Sequence, residues 1–301
     1  MIGVGLLLAS ATGCGPSTPP SGSTKTSSSG SAAGVFAVKT GSGVDMVFLP
    51  GGKFIMGSDK ESPDEGPAHE VTIGPFMMDQ VEVTHAMFEK VQLPNPSHWQ
   101  DDPKKPVEQV RWRDAKLYCN ERSLLEGLTP CYDEAQAGWP CNFEANGYRL
   151  PTEAEWEFAA RAGSSERYPS GERALKQSAW YGENAGKKSH IVGTRRPNAW
   201  GIHDLYGNVS EWCQDAYQED YFAKSPKENP RGPADTPENT RRVMRGGSWK
   251  SSAEMCRVTF RQGQQTGDSD ACFFTDFCGF RCVRSISEPE ARSLQEGTNQ
   301  R

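Results

Sequence analysis

No stretch of the sequence is apolar for long enough to cross a bilayer, no two cysteines stand in a C-x-x-C spacing, and positive charge is not in excess. Each absence excludes a class. A transmembrane helix needs about 20 consecutive apolar residues, and the longest candidate, "MIGVGLLLASATG" at residues 1–13, falls short and reads as the apolar region of a signal peptide. The five histidines, His69, His85, His98, His190 and His203, show no metal-ligand spacing, so a zinc site is excluded together with the C-x-x-C motif. A net charge of -6 without any basic stripe excludes nucleic acid as a partner. Strand and helix signals do not alternate regularly and no repeat is visible, which excludes a doubly wound sheet and a solenoid.

What is present begins at the N-terminus. The tetrapeptide "ATGC" after the apolar run resembles a bacterial lipobox, in which the cysteine is lipidated and becomes the mature N-terminus. That resemblance makes Cys14 the lipidation site and the bacterial cell envelope the location, with the chain lipid-anchored on its periplasmic or cell-surface side. Residues 14–40 are rich in Ser, Gly and Pro and nearly free of large apolar side chains. Such a segment cannot bury enough surface to offset its chain entropy, so it is expected to be a disordered tether. Residues 41–286 form the expected domain, and 287–301 a polar tail.

Within the body, "VDMVFLPGGKFIMGS" has two apolar stretches around Pro50-Gly51-Gly52 and predicts a hairpin. "HEVTIGPFMMDQVEVT" continues as strand, and Thr84 then precedes a short helical pattern. In "VRWRDAKLYCNERS", Trp112, Ala115, Tyr118 and Cys119 recur at three- and four-residue intervals, the mark of a helix with one buried face. "LPTEAEWEFAARAG" carries a capping box, Thr152 with Glu155, and Gly163 where the helix should stop. The fold class is α+β, irregular and loop-rich. If Cys14 carries lipid, eight of the nine cysteines remain, an even number suited to crosslinks in an oxidising compartment.

Five segments occur in a telling order: "FLPGGKFIMGS", "YRLPTEAEWEFAARAG", "PNAWGIHDLYGNVSEWCQD", "RVMRGGSWKSSAEMCRVTFR" and "GFRCVR". Together they resemble the sulfatase-modifying factor domain of the formylglycine-generating-enzyme family, over about residues 44–284. The resemblance implies a single domain of C-type-lectin-like topology with a surface groove suited to a protein or peptide. Enzymes of the family oxidise a sulfatase cysteine to formylglycine with oxygen and copper(I) held by two thiolates. Their two cysteines follow the aromatic of a GGS-aromatic motif by two and seven residues; counted from Trp249, those places hold Ser251 and Cys256. A hydroxyl is a hard, weakly acidic donor and cannot replace a thiolate on copper(I). The active enzymes also carry tryptophan at the place of Ser210, whereas Ser248 is retained.

Other expectations rest on the same resemblance. It implies a calcium site from the Asp204 side chain, the Gly207 and Val209 carbonyls and the Glu211 carboxylate, hard oxygens of the kind calcium prefers. It pairs Cys119 with Cys282; Cys131 and Cys141 lie close enough in sequence to clip one loop, and Cys213, Cys256, Cys272 and Cys278 stay unassigned. Cys256 reads either as structural, in the core or in a crosslink with Cys272 or Cys278, or as catalytic with Ser248. Ser248 serves a turn or catalysis. Three functions follow: a lipid-anchored binding or scaffold module without the copper chemistry, a formylglycine-generating oxidase, or another oxidation on the same fold.

Overall fold

The computed structural model describes residues 34–169, 171–236, 241–266 and 275–299; Cys14 and Cys272 lie outside them. In chain order the strands are β1 (Phe36–Lys39), β2 (Asp45–Leu49), β3 (Gly52–Met56), β4 (His69–Ile73), β5 (Phe76–Asp79), β6 (Tyr148–Arg149), β7 (Ser210–Ala216), β8 (Arg241–Arg245), β9 (Arg261–Gln265), β10 (Cys278–Gly279) and β11 (Val283–Ser285). The α-helices are α1 (His85–Lys90), α2 (Trp112–Leu125), α3 (Glu153–Arg161), α4 (Leu175–Ser178) and α5 (Glu288–Asn299). Long loops carry much of the rest, as an α+β, loop-rich domain requires. No helix among the described residues is long and apolar enough to cross a membrane.

Strands assemble into an antiparallel sheet ordered β1-β2-β5-β11-β6, a second sheet ordered β10-β7-β8-β9, and the pair β3-β4. Successive strand residues face opposite ways, and here both directions are buried. In β2, Val47 and Leu49 enter one apolar cluster while Met46 and Phe48 enter another. The same division sets Cys213 apart from Trp212 in β7, and Val243 apart from Met244 in β8. Two cores therefore flank each of the larger sheets, and all seven residues of β7 are buried.

Local signals place the helices. Thr84 Oγ1 accepts the Met87 N–H and starts α1. At α3, Thr152 Oγ1 accepts the Glu155 N–H while the Glu155 carboxylate accepts the Thr152 N–H, so the capping box forms as the residues predict. Trp112, Ala115, Tyr118 and Cys119 all point from α2 into the core.

Three expectations are corrected. The two strands around Pro50 exist but do not form a hairpin: β2 pairs with β1 and β5, and β3 pairs with β4. Gly51 has a φ of +75°, and a Cβ there would lie 2.2 Å from the Ile73 carbonyl oxygen. That glycine thus serves a close approach between strands rather than a hairpin turn. At the N-terminal boundary, β1 begins at Phe36, so the folded domain reaches into the segment expected to be tether. The tail, expected as polar and frayed, carries α5, with Ala291 buried and Leu294 packed against the second core.

Candidate functional site

The segment Arg245–Ser251 is stitched to the loop before β7. Gly247 has a φ of +67°, and a Cβ on it would lie 3.0 Å from Cys256 Sγ, so only glycine lets the chain pass the thiol here. Ser210 Oγ donates to the Gly247 carbonyl at 2.9 Å, and the Trp249 N–H donates to the Asn208 carbonyl at 2.7 Å. Next to these, Ser251 closes a tight turn: its Oγ accepts the Ser248 N–H at 2.9 Å, its N–H donates to the Ser248 carbonyl at 3.0 Å, and the two hydroxyls stand 3.1 Å apart. Both Ser248 and Ser251 are buried.

Cys256 sits within the first core cluster with 0% exposure. Burial alone pushes its thiol up to about 12, so the thiolate that nucleophilic or copper chemistry needs is scarce at neutral pH. No disulfide joins it to Cys278, which belongs to the second cluster with its Sγ 3.5 Å from Met244 Sδ. A two-thiolate copper(I) site does not fit these residues, since the turn hydroxyl of Ser251 stands where the second sulfur would be required.

The other cysteines divide by neighbourhood. Cys119 and Cys282 lie with their Sγ atoms 3.6 Å apart, both buried between α2 and the end of the chain. Around Cys131 and Cys141 the backbone doubles back: Tyr132 pairs with Cys141, and the Asn142 N–H donates to the Cys131 carbonyl at 2.7 Å.

Asp204, Gly207 and Val209 occupy one loop leading into β7, and Glu211 is the second residue of that strand. Gly207 lies so close to Trp180 that a Cβ would meet its carbonyl oxygen at 2.2 Å, and the Asn208 N–H donates to that same oxygen. Asp204 has a φ of +60°. Its Oδ2 accepts the Gly193 N–H at 2.6 Å, while its buried Oδ1 has no partner. Glu211 is engaged differently: Oε2 accepts from Trp156 Nε1 at 2.8 Å and Arg281 Nε at 2.7 Å, and Oε1 from Arg281 Nη2 at 2.6 Å.

A third carboxyl, Glu82, accepts from Asn208 Nδ2 and the Val209 N–H. Burial, with the charges of Asp204 and Glu211, pushes it well up. Three buried acids thus face one guanidinium, Arg281. No group of three or more His, Cys, Asp or Glu converges on a metal position among the described residues. Of the side-chain oxygens that the resemblance implies for calcium, Asp204 Oδ1 lacks a partner, while both oxygens of Glu211 already accept from Arg281.

Beside Trp249 lies a face that sequence reading did not single out. Trp99 packs edge-on to Trp249 with ring centroids 6.3 Å apart, and Trp249 Nε1 donates to the Asp276 carbonyl at 2.9 Å. Lys250 Nζ sits 3.5 Å from the Phe277 ring centroid. Beneath them Glu108 is wholly buried: Oε1 accepts the Trp99 N–H at 2.9 Å, and Oε2 has no partner. Burial, with Asp276 nearby, pushes Glu108 up to about 7. The only sequence clue is that Trp99 is followed within ten positions by Lys105, Pro106 and Glu108.

Glu108 gives a pH signature. Between its ordinary value of 4.5 and about 7 the folded protein keeps a proton that the unfolded chain releases. Its contribution is therefore full below the lower value and is lost as pH rises through the interval. Glu108→Gln, neutral at every pH, should show a shallower fall in urea-unfolding free energy across that interval than the parent. Identical pH profiles would assign the slope to another group.

Comparison with known proteins agrees with this geometry. Residues 32–286 match the family described as sulfatase-modifying factor enzyme 1-like domain. The chain is 33% identical to the chaperone protein LppX of Paenibacillus barcinonensis, over 80% of this chain and 89% of that protein. It is 31% identical to the inactive C-alpha-formylglycine-generating enzyme 2 of Mus musculus, over 81% and 87% respectively. Against the serine/threonine-protein kinase pkn1 of Chlamydia caviae, at 33% identity, it spans only 38% of the relative's length. Among solved structures, Treponema denticola variable protein 1 superposes with a TM-score of 0.73 at 30% identity, over 84% of this chain and 99% of that one. With its sheets, its loop before β7 and its Gly-Gly-Ser-Trp turn in the expected order, the chain belongs to the sulfatase-modifying factor enzyme 1-like family.

Proposed function

We propose that this chain is an exported, lipid-anchored binding or scaffold module that uses the family's fold without its two-thiolate copper chemistry. One observation carries the reading. The residue standing in place of a copper-ligating cysteine, Ser251, is committed to a turn with Ser248, while the remaining thiol of Cys256 is sealed in the core. Relatives named as a chaperone and as an inactive formylglycine-generating enzyme are consistent with a non-oxidising role.

The test is direct. Purified protein, copper(I), oxygen and a sulfatase-type peptide containing C-x-P-x-R should leave the peptide cysteine unchanged by mass. Turnover that disappears in Cys256→Ala would establish the oxidase instead. In Ser251→Cys, copper binding gained by that single change would show that ligand number limits the parent.

Calcium belongs to the same proposal, as a stabilising ion at Asp204 and Glu211. An ion that binds only the folded state raises stability by mass action. A chelator should lower the melting temperature of the parent and leave that of Asp204→Ala unmoved; equal responses would place any calcium elsewhere. The anchor rests on the apolar run before Cys14. Cys14→Ala should move the protein from the membrane to the soluble fraction, and continued membrane association would dismiss the lipid.

A further inference from the structure

A cavity of about 640 Å³ lies between β3, the end of α3 and the loop carrying Trp200. Its floor is aromatic. Phe54 meets Phe158 edge-on at 5.4 Å between centroids, and Phe158 meets Trp200 at 5.0 Å. Gly51 through Ile55 line it without a gap. A strand that presents a face to a cavity lines it with alternate residues, so an unbroken run means that β3 presents its edge.

The register shows which backbone groups point there. β3 is hydrogen-bonded on one side only, to β4, with Lys53 opposite Thr72 and Ile55 opposite Glu70. Thr72 turns its N–H to the Lys227 carbonyl and its C=O to the Asn229 N–H, away from β3. Paired residues in an antiparallel ladder either both exchange hydrogen bonds or both point outward, so Lys53 and, two residues on, Ile55 aim their N–H and C=O away from β4. The next residue in this series is Gly57, and it is already satisfied from outside: its N–H donates to Glu157 Oε1 at 2.8 Å and its carbonyl accepts from Arg161 Nη2 at 3.0 Å. Lys53 and Ile55 have no such partners among the described residues. Ile55 is also one of the few exposed large apolar side chains, at 54%.

Charge completes the site. Glu157 serves two guanidiniums, Arg161 on Oε1 and Arg245 on Oε2, while Glu153 is held by Arg261 through both of its oxygens. Three arginines therefore share two carboxylates. Asp215, which accepts the Glu153 N–H, is pushed well up by burial and adds little compensating charge. Arg161 is 7% exposed and lines the cavity, with Nε on Glu157 and Nη2 shared between Glu157 and the Gly57 carbonyl. Lys60 lines the rim with no ion-pair partner among the described residues, Lys53 only reaches Glu70 at 3.6 Å, and Asp59, the acidic residue of the lining, is engaged through Oδ1 by the Ala68 N–H.

We propose that this cavity receives an extended acidic peptide, which adds as a strand to the free edge of β3. Its backbone pairs with Lys53 and Ile55, an apolar side chain settles on the Phe54, Phe158 and Trp200 rings, and its carboxylates meet Arg161 and Lys60. Strand addition of this kind draws affinity from main-chain hydrogen bonds and selectivity from alternate side chains. The inference rests on the binding-module reading and gives it a partner class.

The experiment uses the full chain and a short fluorescein-labelled peptide that alternates β-branched residues with glutamate around one tryptophan, followed by fluorescence anisotropy. Saturable binding is expected, weakened about tenfold or more by Ile55→Pro, which removes one outward N–H, and by Lys60→Glu. Because Ile55→Pro could disturb the strand, the decisive control changes the ligand: the same peptide N-methylated at alternate amides keeps its side chains and charge and should not bind. Equal binding of the methylated peptide would overturn the proposal. So would a neutral oligosaccharide that displaces the parent peptide, or self-association of the protein that Ile55→Pro abolishes, since a sugar or a second copy would then own the edge. A protein that ignores the peptide and also leaves the C-x-P-x-R cysteine unoxidised loses this inference and keeps the non-catalytic reading.

Discussion

A single guanidinium holds the architecture together. Arg281, wholly buried, donates through Nε and Nη2 to Glu211 in β7, through Nη1 to the Asp79 carbonyl at the end of β5, and through Nη2 to the His203 carbonyl before the Asp204 loop. It thereby joins both larger sheets and the loop between Trp200 and β7. Asp79 extends the same junction: its carboxylate takes Arg122 of α2 and the Cys282 N–H. A fold with little regular structure has few ladders to satisfy its loops, and here buried, hydrogen-bonded ion pairs tie the loops to the sheets. Removing one member would leave a charge stranded in the interior, a defect of the order of ~3–5 kcal/mol.

The same logic shapes the region where the family does its chemistry. Ser251 and Ser210 are not passive replacements, because each has taken a local hydrogen bond that fixes the Gly-Gly-Ser-Trp turn. What remains around that turn is two edge-packed indoles, a lysine against a phenyl ring and a buried carboxyl with one free oxygen. The cavity beside β3 has a comparable makeup, rings beneath and charged side chains at the rim, with a backbone edge in addition.

Sequence reading succeeded where the signal is local. The capping box of α3 and the buried face of α2 are written within a few residues of where they act, and both form. It failed where a local signal served a distant partner. Pro50-Gly51-Gly52 looks like a hairpin turn, yet Gly51 is required by the Ile73 carbonyl packed against it. Trp99, Glu108 and Trp249 are spread over 150 positions, and nothing in their separate contexts says that they meet. Glu211, expected as a calcium ligand, is instead joined to Arg281 once the two sheets bring them face to face. The tail helix carries little apolar signal, docking through Ala291 and Leu294 and through the Glu290 pair with Arg284.

The strand order also fixes when the molecule can become itself. β11, at Val283–Ser285, lies between β5 and β6 and supplies the ladder that links them, while β10 borders β7 just ahead of it. Until those residues are available, β5 and β6 have no partner on their facing edges and Glu211 has no Arg281. Contacts separated by two hundred positions must form for the first sheet to close, and such topologies fold slowly because loop closure precedes the contacts that reward it. The first sheet can therefore close only after Val283–Ser285 has been made, however early β1, β2 and β5 pair.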